Sequence, residues 1–240
     1  MGLNQNSLCI VIPFYNEPEN ARAVLAIIRE ISSSDTKWIL VNNGSTDERT
    51  LLESDIPDGV TILPLPKNHG FGGGIKAGMR IADTRFVAWM PGNLKVHPFA
   101  PRVMLDRFLL IKTEKQSDVF IKALRVGRGI IPQFKTFASA LLVSLVAAKK
   151  FRDIGGTPTI IDRKYLEVLE DTPNDYSFEL AAYYKLINAG CTEVRIASVY
   201  LSRIFGNSHW QFGTGAEFRL LKTQIYYVLK SRNMNKTKAK

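Results

Sequence analysis

Four short apolar segments in the first hundred residues constrain the fold most strongly, because each runs directly into a polar or glycine-rich turn. They are Leu8–Ile12, Trp38–Val41, Val60–Leu63 and Phe86–Met90. Short, continuously apolar segments of this kind are typical of strands buried on both faces of a sheet. Helical spacing predicts helices between them at Asn20–Ile31 and Gly74–Ala82. The alternation predicts one α/β domain with a mostly parallel central sheet flanked by helices.

The second half of the chain carries a weaker version of the same pattern. It predicts helices at residues 102–112, 134–150 and Ser177–Ala189, and strands at Asp118–Leu124, Ile160–Asp162 and Val194–Tyr200. Gly190 is suited to the C-cap of the third of these helices. Lysine and arginine crowd the last residues of the chain. We therefore expect a single domain over residues 1–225 and a flexible basic tail over residues 226–240.

The longest apolar run, FASALLVSLVAA at residues 137–148, has two interpretations. It is well short of the roughly 20 residues that a helix needs to span a bilayer. It could be a helix buried in the core, or a helix lying in the interface of a membrane. Lys149 and Lys150 follow it directly, which suits either position.

The charge balance restricts the classes of partner. The net charge of +10 over 240 residues favours an anionic partner such as a phosphate-bearing substrate or an anionic membrane surface. No basic strip with interleaved aromatic residues is present, so we do not expect a nucleic-acid partner. Two cysteines, Cys9 and Cys191, suggest neither a disulfide framework nor a metal cluster. The N-terminus lacks the pattern of a signal peptide, so we expect a cytoplasmic protein.

Polar residues follow each of the first four predicted strands. Ligands of open α/β sheets bind beyond the carboxyl ends of the strands, so these turns are the candidate site. Glu17 could accept hydrogen bonds from a base or ribose, or could simply cap the following helix. The segment Lys67–Gly74, KNHGFGGG, would let backbone N–H groups and a helix N-terminus approach an anion closely.

Taken in order, the segments IVIPFYNE, VNNGSTD, LPKNHGFGGGIKAG and FVAWMPGNLKVHP resemble the family-2 glycosyltransferases of the GT-A fold. The later segment DVFIKALRVGRG and the stretch from Tyr176 to Trp210 are similar to the polyprenyl-phosphate sugar transferases, including dolichyl-phosphate mannose synthases. The resemblance implies a single GT-A (Rossmann-like) domain. It also implies inverting transfer of a sugar from a nucleoside diphosphate to a lipid-phosphate or glycan acceptor, in cell-surface polysaccharide or glycolipid synthesis, with peripheral contact at the inner face of the membrane. A catalytically silent relative that only binds the nucleotide sugar is the alternative.

The resemblance also assigns roles to residues. The donor nucleotide would be held by Pro13, Tyr15, Glu17, Asn43, Ser45, Lys67, Asn68 and Gly70. The family's Asp-x-Asp motif brings Mg²⁺ or Mn²⁺ to the pyrophosphate, and it aligns here with Pro91-Gly92-Asn93. Only Asn93 of these three could ligate a metal; His209, which replaces a family lysine, could do so instead. Asn93, Glu179 and Arg203 are the candidate catalytic residues.

The lost carboxylates raise the question of what stabilises the leaving diphosphate, whose negative charge must be balanced. Basic side chains in or near the matching loops could substitute for a metal, namely Lys95, Arg125, Arg128, Arg203 and His209. A hydroxyl acceptor would need a general base, for which Asp153, Asp175 and Glu179 are candidates, although a carboxylate such as Glu179 is also favoured at a helix N-terminus. A phosphate acceptor is already ionised and needs cations rather than a base.

Overall fold

The computed structural model describes residues 7–31, 35–47, 56–112, 118–205 and 214–238. Its strands are β1 (Leu8–Phe14), β2 (Thr36–Asn42), β3 (Val60–Pro64), β4 (Phe86–Trp89), β5 (Val119–Val126), β6 (Thr159–Asp162) and β7 (Thr192–Val199). Its α-helices are α1 (Pro18–Ile31), α2 (Gly70–Ile81), α3 (Ala100–Ile111), α4 (Ile130–Ala147), α5 (Phe178–Asn188) and α6 (Thr214–Lys238). Every strand that the sequence predicts is present, with ends that shift by a few residues.

The seven strands form one sheet in the order β3-β2-β1-β4-β6-β5-β7. The first four strands are parallel to one another, and β5 is parallel to β7. Strand β6 is antiparallel to both of its neighbours. The predicted α/β domain with a mostly parallel sheet flanked by helices is therefore confirmed.

The core lies on both faces of the sheet, which explains the continuous apolar segments. All seven residues of β1 are buried. Alternate residues point to opposite faces, so Val11 packs with α2 and α5, whereas Ile10 packs with α1 and α3. The polar ends of β1, β2 and β4 consequently meet at one edge of the sheet.

The glycine-rich segment differs from the prediction. Helix α2 begins at Gly70 rather than Gly74, so residues 70–74 form its first turns and not a loop. A side chain at Gly72 would lie 2.5 Å from the carbonyl oxygen of Pro173 and 2.6 Å from Cβ of Phe178. The glycines therefore serve close packing of the helix against the α5 region, and this packing outweighs their low intrinsic helix propensity.

Helix α4 contains the long apolar run, and the interpretation of that run as a core helix is wrong. Its buried residues are Ala140, Val143 and Ala147 only. A stripe spaced at three and four residues points outward instead: Phe134 is 70% exposed, Phe137 66%, Leu141 49% and Leu145 70%. By length and composition α4 could cross a membrane, with 17% of it buried.

Helix α6 continues through the boundary that the sequence predicts at residue 225. Val228 is fully buried in the same core cluster as Val143 of α4, and the Arg232 guanidinium donates to the carbonyl oxygen of Val146. Within the described part, residues 226–238 therefore extend a helix that packs on α4. Flexibility of the basic tail stays a prediction.

Candidate functional site

A cleft of about 790 Å³ opens at the carboxyl edge of the sheet. The sheet side of its wall is built from the ends of three strands and the start of α5, through Glu17, Asn93, Lys95, Glu179 and Arg203. The opposite wall is α4, whose residues Ile131, Lys135, Ala138 and Leu142 share one face of the helix. The cleft thus has a charged wall and a mostly apolar wall.

The turns after β1 and β2 are bound to each other by Asn16. Its backbone N–H donates to Oγ of Ser45 at 3.0 Å, and its Oδ1 accepts from the backbone N–H groups of Thr46 and Asp47 at 2.9 and 3.2 Å. Asn16 has φ = 52°, a left-handed conformation that asparagine tolerates better than most residues. These bonds hold the turn that carries Tyr15 and Glu17.

Asn43 fixes the entry to α2. It is 3% exposed, and its Nδ2 donates to the Gly70 carbonyl at 2.9 Å and to Oδ1 of Asn68 at 3.3 Å. Its Oδ1 accepts from the backbone N–H of His69 at 3.1 Å. Because these bonds occupy the amide, Asn43 connects the end of β2 to residues 68–70 and fixes their backbone, and its predicted contact with the base stays a prediction.

Replacement of Gly44 by alanine is expected to destabilise the protein by about 2–4 kcal/mol, since it adds a left-handed strain and a backbone clash. Gly44 has φ = 69°, and a Cβ there would lie 2.1 Å from the carbonyl carbon of Lys67. Gly190→Ala is the control, because Gly190 has φ = 87° but no atom within 4 Å of its Cβ position. Thermal unfolding should show a clearly larger loss for Gly44→Ala; equal losses would contradict the close packing.

Glu17 and Arg203 form an ion pair across the cleft floor, with 2.6 Å between Oε1 and Nη2. Both side chains are mostly buried. The pair joins the turn after β1 to the chain after β7, which are 186 residues apart in sequence. The ion pair brings two predicted site residues into direct contact. The side chain of Glu17 thus binds Arg203 and does not cap the following helix.

Glu179 lies at the inner end of the cleft, 6% exposed. Its Oε1 accepts from Nε1 of Trp89 at 2.9 Å, and its Oε2 lies 3.3 Å from Nζ of Lys122. Lys122 is 1% exposed, and burial lowers the pKa of its ammonium while Glu179 opposes that shift. The Glu179 carboxylate is therefore the counter-ion of a buried lysine, a role that the sequence did not reveal.

The residues that the sequence analysis aligned with the Asp-x-Asp motif, Pro91-Gly92-Asn93, do not fit a divalent cation. Pro91 offers no side-chain ligand, and Oδ1 of Asn93 accepts from the backbone N–H of Lys95 at 3.2 Å. Among the described residues no group of three His, Cys, Asp or Glu side chains could hold a metal. Mg²⁺ and Mn²⁺ prefer several oxygen ligands, usually with carboxylates. His209, the other proposed ligand, lies outside the described residues.

Cations converge on the same cleft. Arg125 and Arg128 lie over the ring of Tyr200 at 5.3 and 5.8 Å, and Arg125 is paired with Asp153. Burial lowers the pKa of Lys95, and Arg203, Arg128 and Arg125 lower it further by repulsion. Of the five side chains that the sequence named as possible substitutes for a metal, the structure brings these four to one place, and the fifth, His209, lies outside the described residues.

The predicted site residues thus fall into two groups. Glu17, Asn93, Glu179 and Arg203 line the cleft. The second group lies beside the cleft, in the last residues of β1, the turns after β1 and β2, and the segment that leads into α2. Its members are Pro13, Tyr15, Asn43, Ser45, Lys67, Asn68 and Gly70, of which Tyr15 and Lys67 are exposed.

Sequence reasoning missed the aromatic pair at the cleft. Phe71 and Tyr176 stack with ring centroids 4.7 Å apart and an interplanar angle of 7°, and both line the cleft. It also missed the contribution of α4 to the wall. Neither feature has a local sequence signal, because each depends on segments that are far apart in the chain.

Comparison with known proteins agrees with this arrangement. Residues 9–107 match the family model described as Glycosyl transferase family 2, a span of less than half of the chain. Glucosyl-3-phosphoglycerate synthase from Mycobacterium tuberculosis, in complex with Mn²⁺, UDP and glucosyl-3-phosphoglycerate, superposes with a TM-score of 0.68 at 16% identity, over 95% of this chain and 80% of that chain. The chain therefore has the GT-A fold.

Other similar proteins extend the comparison. The same synthase with Mn²⁺, UDP-glucose and glycerol 3-phosphate gives a TM-score of 0.64 at 18% identity, over 95% of this chain and 80% of that one. A teichoic acid poly(glycerol phosphate) polymerase from Staphylococcus epidermidis is 24% identical over 107 residues, which are 43% of this chain. The match spans only 15% of the length of that polymerase.

Proposed function

We propose that the protein is a glycosyltransferase that moves a sugar from a nucleoside diphosphate to a lipid-phosphate acceptor at the inner face of an anionic membrane. The observation that carries the proposal is the cleft, where strand-end polar groups and a cationic cluster face an apolar helix. The family-model match over residues 9–107 and the fold shared with structures that contain UDP and UDP-glucose support the donor class.

The choice of a lipid phosphate over a glycan rests on the chemistry of the walls. Arg125 lines the cleft and could bind the acceptor phosphate, while Ile131 and Leu142 offer an apolar path for a chain. A phosphate oxygen is already ionised, so its attack on the anomeric carbon needs no general base. The similar synthase was crystallised with UDP together with phosphoglyceric acid, a phosphate-bearing molecule.

The outward stripe of α4, defined as Phe134, Phe137, Leu141 and Leu145, supports the proposed membrane contact. An exposed apolar stripe on a helix is stabilised when it enters another apolar phase. Lys149 and Lys150 follow the helix, and the chain as a whole is positively charged. An amphipathic surface of apolar and basic residues fits an anionic bilayer.

The substrates can be identified by thermal unfolding with UDP-, GDP- and dTDP-sugars, each with Mn²⁺ and with a chelator. A donor at 100 times its dissociation constant stabilises the native state by about 2.7 kcal/mol, so one nucleotide should raise the melting temperature by several degrees. ADP-glucose serves as the comparison. A failure of every donor to stabilise the protein would contradict the proposal.

Transfer is then measured with the stabilising donor and two acceptors, a short polyprenyl phosphate and an oligosaccharide. We expect a labelled glycolipid from the first. Product from the oligosaccharide alone would favour a glycan acceptor. The alternative function is a catalytically silent protein that only binds the nucleotide sugar, and Pro91-Gly92-Asn93 in place of the acidic motif favours it. Such a protein would bind the donor but give no product with either acceptor.

A further inference from the structure

The carboxylates near the cleft are already engaged with cations. Glu17 is paired with Arg203, Glu179 with Lys122, and Asp153 with Arg125. Lys95 and Arg128 have no acidic partner among the described residues: Arg128 donates to Oγ1 of Thr136 at 3.1 Å and to the Pro132 carbonyl. The cleft therefore holds an excess of positive charge.

Lys95 is held in place by its backbone. Its N–H donates to Oδ1 of Asn93, and its carbonyl accepts from the N–H of Leu201 at 2.7 Å. The second bond fixes the turn after β4 against the chain that carries Arg203. Lys95 is thus a half-buried ammonium within a group of guanidinium ions, an unfavourable arrangement unless an anion completes it.

The same turn is the one that the sequence analysis aligned with the Asp-x-Asp motif, and its residues do not fit a metal. Pro91 cannot ligate, and the Asn93 oxygen is committed to the turn itself. A positioned ammonium can stabilise a diphosphate as a point charge in place of a metal ion. Pro91 and Asn93 therefore do not suit the expected metal ion, but the Lys95 ammonium supplies positive charge at the same turn.

We propose that Lys95, with Arg203 and Arg128, binds the diphosphate of the donor in place of a divalent cation, so that donor binding needs no metal. The inference rests on the proposed function. In transfer, the bond between the anomeric carbon and the β-phosphate oxygen breaks, and its electron pair stays on that oxygen. The acceptor phosphate oxygen forms the new bond to the anomeric carbon. The fixed cations balance the charge on the departing diphosphate, and no proton has to move.

Isothermal titration with UDP and GDP tests the inference, in EDTA and in MnCl₂. The wild-type protein should bind one of them with a dissociation constant that differs less than about threefold between the two buffers. Lys95→Met should weaken binding about 10- to 100-fold in both, the loss typical of a hydrogen bond to a charged group. Lys95→Arg should retain most of the affinity. The control is Lys112→Met, because Lys112 is an exposed lysine at the end of α3.

A triple variant, Pro91→Asp with Asn93→Asp and Lys95→Gln, should make nucleotide binding depend on a metal. Its nucleotide affinity should be weak in EDTA and recover in MnCl₂, with Mn²⁺ binding detectable directly by electron paramagnetic resonance. Unchanged far-UV circular dichroism confirms that each variant is folded.

Three outcomes overturn the inference. Nucleotide binding by the wild type only with Mn²⁺ would do so and leave the proposed function standing. Unchanged binding in folded Lys95→Met would do the same. No binding of any nucleotide or nucleotide sugar in either buffer would overturn both the proposed function and the inference.

Discussion

Glu179→Gln is expected to lower the stability of the protein by about 3–5 kcal/mol, because it removes the counter-charge of a buried lysine. Glutamine has nearly the same shape, and its oxygen can still accept from Nε1 of Trp89. Lys122 is 1% exposed, so it would then either stay charged without a counter-ion or lose its proton. For a chain of this length the melting temperature should fall by roughly ten degrees.

The pH dependence of this variant gives an independent readout. Burial already lowers the pKa of Lys122 below the ordinary value of 10.5, and loss of Glu179 removes a charge that opposes the shift. Between the lowered folded-state pKa and 10.5 the unfolded chain binds more protons than the folded chain, so the contribution of Lys122 to stability rises with pH. The deficit of Glu179→Gln relative to wild type should therefore shrink as the pH rises.

The double variant Lys122→Met with Glu179→Gln is the matched control. It removes both charges and leaves an apolar side chain of similar length in the core, so most of the lost stability should return. A deficit as large as that of the single variant would show that the ion pair is not its cause. Transfer activity of the folded double variant then tests the role of Glu179 as a general base, since a base loses its function in glutamine whatever its neighbour.

Phe134→Glu with Phe137→Glu is expected to reduce binding to anionic vesicles by more than about a hundredfold, because each buried aromatic side chain contributes roughly 1.5–3 kcal/mol. Both residues are about two-thirds exposed and lie three positions apart on one face of α4. The measurement is co-sedimentation with vesicles of phosphatidylglycerol and phosphatidylcholine. Binding should also weaken with salt, since basic residues flank the helix.

Leu110→Glu provides the control for this effect. Leu110 is 85% exposed at the end of α3, away from the outward stripe of α4. It adds one negative charge, against two in the double variant, and it lies outside the proposed surface, so vesicle binding should change little. Equal losses in both proteins, or an unchanged double variant, would contradict membrane docking through α4. Concentration-dependent dimerisation that the double variant abolishes would indicate a second copy of the chain instead.

Much of the fold could be predicted because its strongest signals are local. The continuity of LCIVI and WILV reflects burial on both faces, and it identified β1 and β2 before any contact was known. Polar residues at the ends of parallel strands must gather at one edge, so the place of the site was also predictable. Glu17, Asn93 and Arg203 line the cleft as a consequence.

The roles within that site were less accessible, because they depend on partners that are distant in sequence. Lys122 and Glu179 are 57 residues apart, and nothing local to either predicts their pairing. Asn43 follows a strand as a ligand-binding residue would, yet its amide is occupied by residues 68–70. The start of α2 at Gly70 depended likewise on a close approach to Pro173 and Phe178.

The sequence by itself determined the strands, the alternation with helices and the edge of the sheet where polar groups collect, since hydrophobic periodicity is a property of each segment alone. Only the tertiary structure decided that the most apolar helix faces outward and that four cations share one cleft. Hydrophobicity specifies that a surface avoids water, but the neighbours of that surface decide whether it is covered by protein.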